Sequence, residues 1–280
     1  MVSLASDILY RNIKMPTLEA IKFDALYCLF RGEPGTRKST CALSFPGKQY
    51  WFSYDQKMES LYLPMKAWGI DPKSVDYDDY TDWTKALTKL TQLQTNCPYK
   101  TIVIDSITSC ADAINRQTLK IKGGKGEGGK QIAGIPVNSI EDFNAEDSAL
   151  KELISVTKDI HKFHKVNVIL IAHVIQKEIK SADGKTHMSR TIVTAGKGIA
   201  QKIPAYCGEM YHFNIKTSID TSKGGQYALL TTHTGDDAAR TSLELPSEII
   251  FGSEPLYTKW LKPAIDKTNN NPNPPLTIKP

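Results

Sequence analysis

Short apolar stretches recur along the chain, and between several of them hydrophobic residues return every three or four positions. Residues 25–30 are an apolar run that meets the turn cluster Gly32-Glu33-Pro34-Gly35, which predicts a buried strand followed by a loop. Lys38 to Phe45 fits a short helix stopped by Pro46, since a proline disfavours helical backbone in the residue before it. Gln49 to Asp55 reads as a second strand. Trp83, Leu87, Leu90 and Leu93 fall at helical spacing and predict an amphipathic helix that ends before Pro98. Thr101 to Ser106 is a third strand; Leu150, Leu153, Ile154 and Ile160 mark a second long helix; Val166 to His173 is the most apolar strand of all. Further on, residues 210–216 and 227–234 flank the turn Lys223-Gly224-Gly225, the pattern of a β-hairpin.

Apolar strands alternating with helices argue for an α/β domain with a mainly parallel sheet covered on both faces, and the hairpin adds antiparallel strands near the C-terminus. Two stretches break the rhythm. Residues 123–129 hold five glycines, and Lys177 to Lys202 is long and polar, so both are read as loops. The last residues, from Lys267 on, are rich in Asn and Pro with little to bury, and are expected to be disordered.

Composition narrows the class only a little. With 40% hydrophobic and 23% charged residues, the 280-residue chain resembles an ordinary soluble globular protein. It shows no apolar run long enough for a membrane span, and its N-terminal residues lack the charged and apolar pattern of a secretory signal. The five cysteines are scattered with no C-x-x-C pair, which argues against a disulfide framework or a zinc site and suits a reducing cytoplasm. A net charge of +5 is mildly basic, compatible with nucleic acid without demanding it.

Candidate chemistry begins where the first strand ends. Gly32, Glu33, Pro34, Gly35, Thr36, Arg37, Lys38, Ser39 and Thr40 follow the phosphate-loop pattern G-x-x-x-x-G-K-[S/T], except that Arg37 stands where a second glycine belongs. Such a loop wraps phosphates in backbone N–H groups, with Lys38 reaching the terminal phosphates and the Ser39 hydroxyl ligating Mg²⁺. If position 37 must be left-handed, a non-glycine residue costs about 1–2 kcal/mol, which a folded domain absorbs. Its guanidinium also offers donors suited to phosphate. A second Mg²⁺-side carboxylate is expected at the end of a neighbouring apolar strand, and Asp105 takes that place.

Taken in order, the loop, the strand ending at Asp55, the strand ending at Asp105 and the strand ending at His173 resemble the RecA-like P-loop ATPase core over residues 22–250, most of all the phage ATPases linked to recombination and single-strand annealing. That resemblance implies ATP and Mg²⁺ as ligands and a RecA-like fold. It leaves residues 1–21 as an extension or oligomerisation arm and 251–280 as a tail. It further implies that Asp55 positions the attacking water, though better-known members carry Glu there, and that His173 senses the γ-phosphate. Arg240 would complete a neighbouring subunit's site, so a homo-oligomer, ring or filament, is expected. The plain alternatives are a solvated turn for Asp55, a structural histidine at 173 and a surface ion pair for Arg240. His161 and His164 have metal-like spacing without a third ligand and read as a polar helix face.

In that family two loops face DNA, and both places are lengthened here. Residues 116–130 and 177–202 each carry a net +4, so the rest of the chain is −3. Lys120, Lys122, Lys125, Lys130, Lys180, Lys185, Arg190 and Lys197 are the expected contacts to single-stranded DNA, with a single-strand-binding protein as a further candidate partner. Two other readings stay open: a replicative-helicase-like ring motor, and a nucleotide-gated regulator or scaffold with no DNA role.

Overall fold

The computed structural model describes residues 22–121, 131–132, 135–136, 140–180, 186–194, 196–216 and 225–270. The first strand, β1 (Tyr27–Gly32), lies in the middle of a sheet, parallel to β7 (Asn167–Lys180) on one side and β9 (Glu209–Lys216) on the other. Beyond β7 follow β4 (Thr101–Asp105), β2 (Gln49–Ser53) and β3 (Val75–Asp79), all parallel. Beyond β9 come β10 (Gln226–Leu230) and β11 (Glu248–Phe251), both antiparallel, so the order is β11-β10-β9-β1-β7-β4-β2-β3. This is the expected α/β class, a mainly parallel sheet covered by helices, with the antiparallel β9–β10 pair toward the C-terminus.

Strands buried on both faces read as unbroken apolar runs, and their side chains divide by alternation. Tyr27 and Leu29 face one core and Cys28 and Phe30 the other; Val168 and Leu170 divide from Ile169 and Ile171 in the same way. The first core is closed by α3 (Trp83–Thr95), α4 (Ile107–Ile121), α5 (Ile140–His164) and α6 (Lys197–Tyr206). The second is closed by α1 (Lys38–Leu43), α2 (Tyr62–Trp68) and α7 (Lys262–Asn270). Helix α3 begins where Asp82 accepts bonds from the amides of Thr84 (2.8 Å) and Lys85 (3.3 Å), and it buries Ala86, Leu90 and Leu93. A small antiparallel pair, β5 (Gln131–Ile132) and β6 (Ile135–Pro136), precedes α5.

The structure corrects two expectations. Residues 251–270 are no tail: a π turn at Tyr257–Leu261 leads into α7, and Leu256, Leu261, Ala264 and Ile265 are buried. Asn269 then clips the helix to the chain before β1, accepting from the Phe23 amide at 2.8 Å. Residues 1–21 and 271–280 lie outside the described residues. Likewise Lys177–Lys202 is not one long loop. β7 runs on to Lys180 and pairs antiparallel with β8 (Thr186–Ile192), anchored by the buried Val174–Ile192 pair at its base.

Candidate nucleotide site

Parallel strands present their C-terminal ends together, and the functional side chains gather there. Gly32 ends β1 at φ 156°, where an added Cβ would lie 2.4 Å from the Phe213 carbonyl oxygen, so only glycine fits. The loop then folds on itself, with the Thr36 hydroxyl donating to the Glu33 carbonyl (2.7 Å). Lys38 turns back into it, its Nζ donating to the carbonyls of Gly32 (2.9 Å) and Glu33 (2.8 Å). Burial pushes the Lys38 ammonium down to about 8, against the pull of Asp105, Asp55 and Glu33.

Arg37 does occupy a left-handed position, φ 66°, ψ 24°. Its guanidinium turns away from the loop's interior. Nη1 donates to the Gly252 carbonyl (2.8 Å), and the group stacks over the Tyr227 ring, 4.1 Å from its centre. Contacts outside the loop therefore offset the backbone cost, and the fork expected to serve phosphate is held by β10 and the turn after β11.

Asp105 ends β4, and Ser39 in the first turn of α1 donates to its carboxylate. Burial, reinforced by the charge of Asp55, pushes Asp105 up to about 6. Two hard oxygen donors on adjacent elements suit Mg²⁺, which takes few protein ligands and keeps water and phosphate for the rest. Asp55 is fixed by the backbone: the amides of Tyr54 and Asp55 donate to the Asp105 carbonyl at 2.7 and 3.1 Å. Although burial acts to raise it, hydrogen bonds from His173, Ser109 and Ser106 hold the Asp55 carboxyl well below the usual carboxylate range. Ser106 Oγ donates to Asp55 Oδ1 at 2.9 Å, and His173 Nε2 lies 3.2 Å from Oδ2. His173 pairs in register with Gly32, and its own amide donates to Thr108 Oγ1 (3.1 Å).

Lys38, Ser39, Asp55, Asp105 and His173 thus line one cavity of about 250 Å³, together with residues 34–37 and Thr40. Sequence reasoning missed Lys57 and Ser60, which line it too; two residues beyond Asp55, Lys57 was within reach of the same strand-end logic. A second cavity of about 350 Å³ shares Arg37, Thr40 and Ser60 and is walled by Leu63, Pro64 and Trp68.

Other expected residues go elsewhere. Arg240 donates to the carbonyls of Pro204 (2.7 Å) and Cys207 at the end of α6, and its backbone bridges Met210, so it serves as a cap within its own chain. Arg190, expected as a DNA contact, grips both carboxylate oxygens of Asp237 (2.9 and 2.7 Å). Lys120 is exposed at the end of α4, Lys180 ends β7 and Lys197 opens α6; Lys122, Lys125, Lys130 and Lys185 lie outside the described residues. His161 and His164 bond the carbonyls of Val166 and Gln94. Among the described residues no group of three or more His, Cys, Asp or Glu could hold a metal ion, and no helix is long and apolar enough to cross a membrane. The five thiols are free.

A family model described as an AAA domain matches residues 25–242. Among solved structures, a KaiC-like protein of the hyperthermophilic archaeon Pyrococcus horikoshii OT3 is similar, with 12% identity and a TM-score of 0.44 over 81% of this chain and 89% of that one. Comparison with curated proteins gives no match.

Proposed function

Since the chain belongs to the AAA domain family, we propose that it binds Mg·ATP on the Gly32–Ser39 loop, hydrolyses it, and uses the nucleotide to govern binding of single-stranded DNA in recombination or annealing of the phage type. The convergence of Lys38, Ser39, Asp55, Asp105 and His173 on one cavity supports the ATPase part most directly. Loop amides and Lys38 Nζ would hold the phosphates, the lysine exchanging its loop carbonyls for phosphate oxygens. Ser39 and Asp105 would hold Mg²⁺, which when bound neutralises charge on the terminal phosphates. Asp55, ionised and fixed by Ser106 and His173, is placed to orient a water and accept its proton at Oδ1 or Oδ2. His173 Nε2 can donate to Asp55 or to a phosphate oxygen. The cavity beside Thr40, with Leu63, Pro64 and Trp68, offers an apolar seat for the base. Phosphate release from ATP by wild type, and its loss in Lys38→Ala, tests this part.

The DNA part rests on the two basic stretches, 116–130 and 177–202. If about five phosphates are neutralised per chain, log affinity should fall with log salt at a slope of about −3.5. Filter binding with and without ATP reads it. A second reading, a nucleotide-gated regulator without a DNA role, is favoured by one observation: Arg190 and Arg240 are both engaged within their own chain. Salt-indifferent or absent binding would select it.

A further inference from the structure

Arg190 sits on β8, which pairs antiparallel with β7 off the main strand path of the sheet. Its guanidinium is held by Asp237, whose side chain is only 8% exposed, and Asp237 is braced in turn by His212 Nε2 at 3.3 Å. Arg31, buried at the end of β1, donates through Nη2 to the Arg190 carbonyl. So constrained, Arg190 places its Nε 3.6 Å from Oε1 of Glu33, the second residue of the phosphate loop.

Glu33 poses an electrostatic problem for a triphosphate site. Its carbonyl accepts from Lys38 Nζ, so its backbone belongs to the cradle, while its side chain adds a negative charge beside the place where several more must gather. Lys38 is turned into the loop, and among the described residues the cation that pairs with the Glu33 side chain is Arg190. An exposed pair is ordinarily weak because two long side chains must be ordered. Here Asp237 and Arg31 have already ordered one of them.

Building on the nucleotide reading, we propose that Arg190 is a positioning residue of the nucleotide site: it balances Glu33, making the β7–β8 hairpin part of the electrostatic surround of the triphosphate. Arg190 does not line the phosphate cavity and makes no phosphate contact in this account.

Calorimetric titration with Mg·ATP of wild type, Arg190→Gln, Arg190→Lys and Glu33→Gln tests it. Arg190→Gln should weaken binding by about fivefold, the range of a well-ordered surface pair. Arg190→Lys keeps the charge but loses the fork on Asp237, and should stay within about twofold of wild type. Glu33→Gln frees the arginine's charge and should tighten binding by about threefold. The Glu33 side chain is 57% exposed, so that arm does not disturb the buried pair and holds even if Arg190→Gln folds poorly. Arg190→Lys binding as weakly as Arg190→Gln, or Glu33→Gln leaving affinity unchanged, would overturn the proposal while the nucleotide site stands. Wild type that binds no Mg·ATP would overturn the parent reading instead, and this one with it.

Discussion

His173 Nε2 lies 3.2 Å from Asp55 Oδ2, a contact between the middle of β7 and the turn after β2 that joins residues 118 positions apart. It ties the group proposed to activate water to the group proposed to meet the terminal phosphate. Asp55→Asn keeps the shape and removes the base. Hydrolysis should fall by about 10²–10⁴-fold while Mg·ATP affinity changes by less than about threefold. Single-turnover phosphate release beside a binding titration separates the two effects.

Arg37 invites a comparison of two truncations. Arg37→Ala leaves a Cβ at φ 66° and loses the Gly252 bond and the Tyr227 stack, whereas Arg37→Gly loses the same contacts but relieves the backbone. The alanine variant should be less stable than the glycine variant by about 1 kcal/mol in denaturant unfolding.

Asp105 sets a pH dependence of stability. Its folded pKa, about 6, lies above the unfolded value, so the native state holds the proton more tightly and ionisation costs stability above about pH 6. That cost is absent below about pH 4, where both states are protonated. Asp105→Asn should therefore raise the unfolding midpoint at pH 7–8, and the gain should shrink as pH falls through 6 toward 4. The same variant should lose Mg²⁺-dependent tightening of nucleotide binding.

Lys38 acts in the opposite range. Burial lowers it to about 8, so its charge is lost as pH rises through that value, and affinity for Mg·ATP should decline above about pH 8. Lys38→Ala should show no alkaline decline of its residual binding.

The packing of α7 gives a check on the fold. Leu261→Ala removes a fully buried side chain from the second core and should cost about 2–5 kcal/mol in chemical denaturation. An unpacked tail would show no loss.

Much of this was legible in the sequence for a single reason. Strands covered on both faces read as apolar runs, and Gly32, Asp105 and His173 each stand at the end of such a run. What stayed hidden lacked that signal. Beyond Val174 the β7–β8 hairpin has exposed residues at 175–178 and half-buried ones at 188–191, most of them polar, so it reads as loop. Edge strand β3 spells Val75-Asp76-Tyr77-Asp78-Asp79 with its last three residues exposed, a pattern with no apolar face. Helix α7 follows a π turn that shifts the period of its apolar positions. For Arg190 and Arg240 the sequence displays a charge without its partner. Asp237 and the Pro204 and Cys207 carbonyls are brought in by tertiary folding alone.

The claim on which the rest depends is that the loop from Gly32 to Ser39 holds a triphosphate with Arg37 in a glycine's place. Calorimetric titration of folded wild type and Lys38→Ala with Mg·ATP measures it directly. The account predicts saturable binding at one site per chain in wild type and a loss of at least about tenfold in the variant, the worth of charge-assisted hydrogen bonds to phosphate. No association in wild type, or equal affinity in the two proteins, would contradict it.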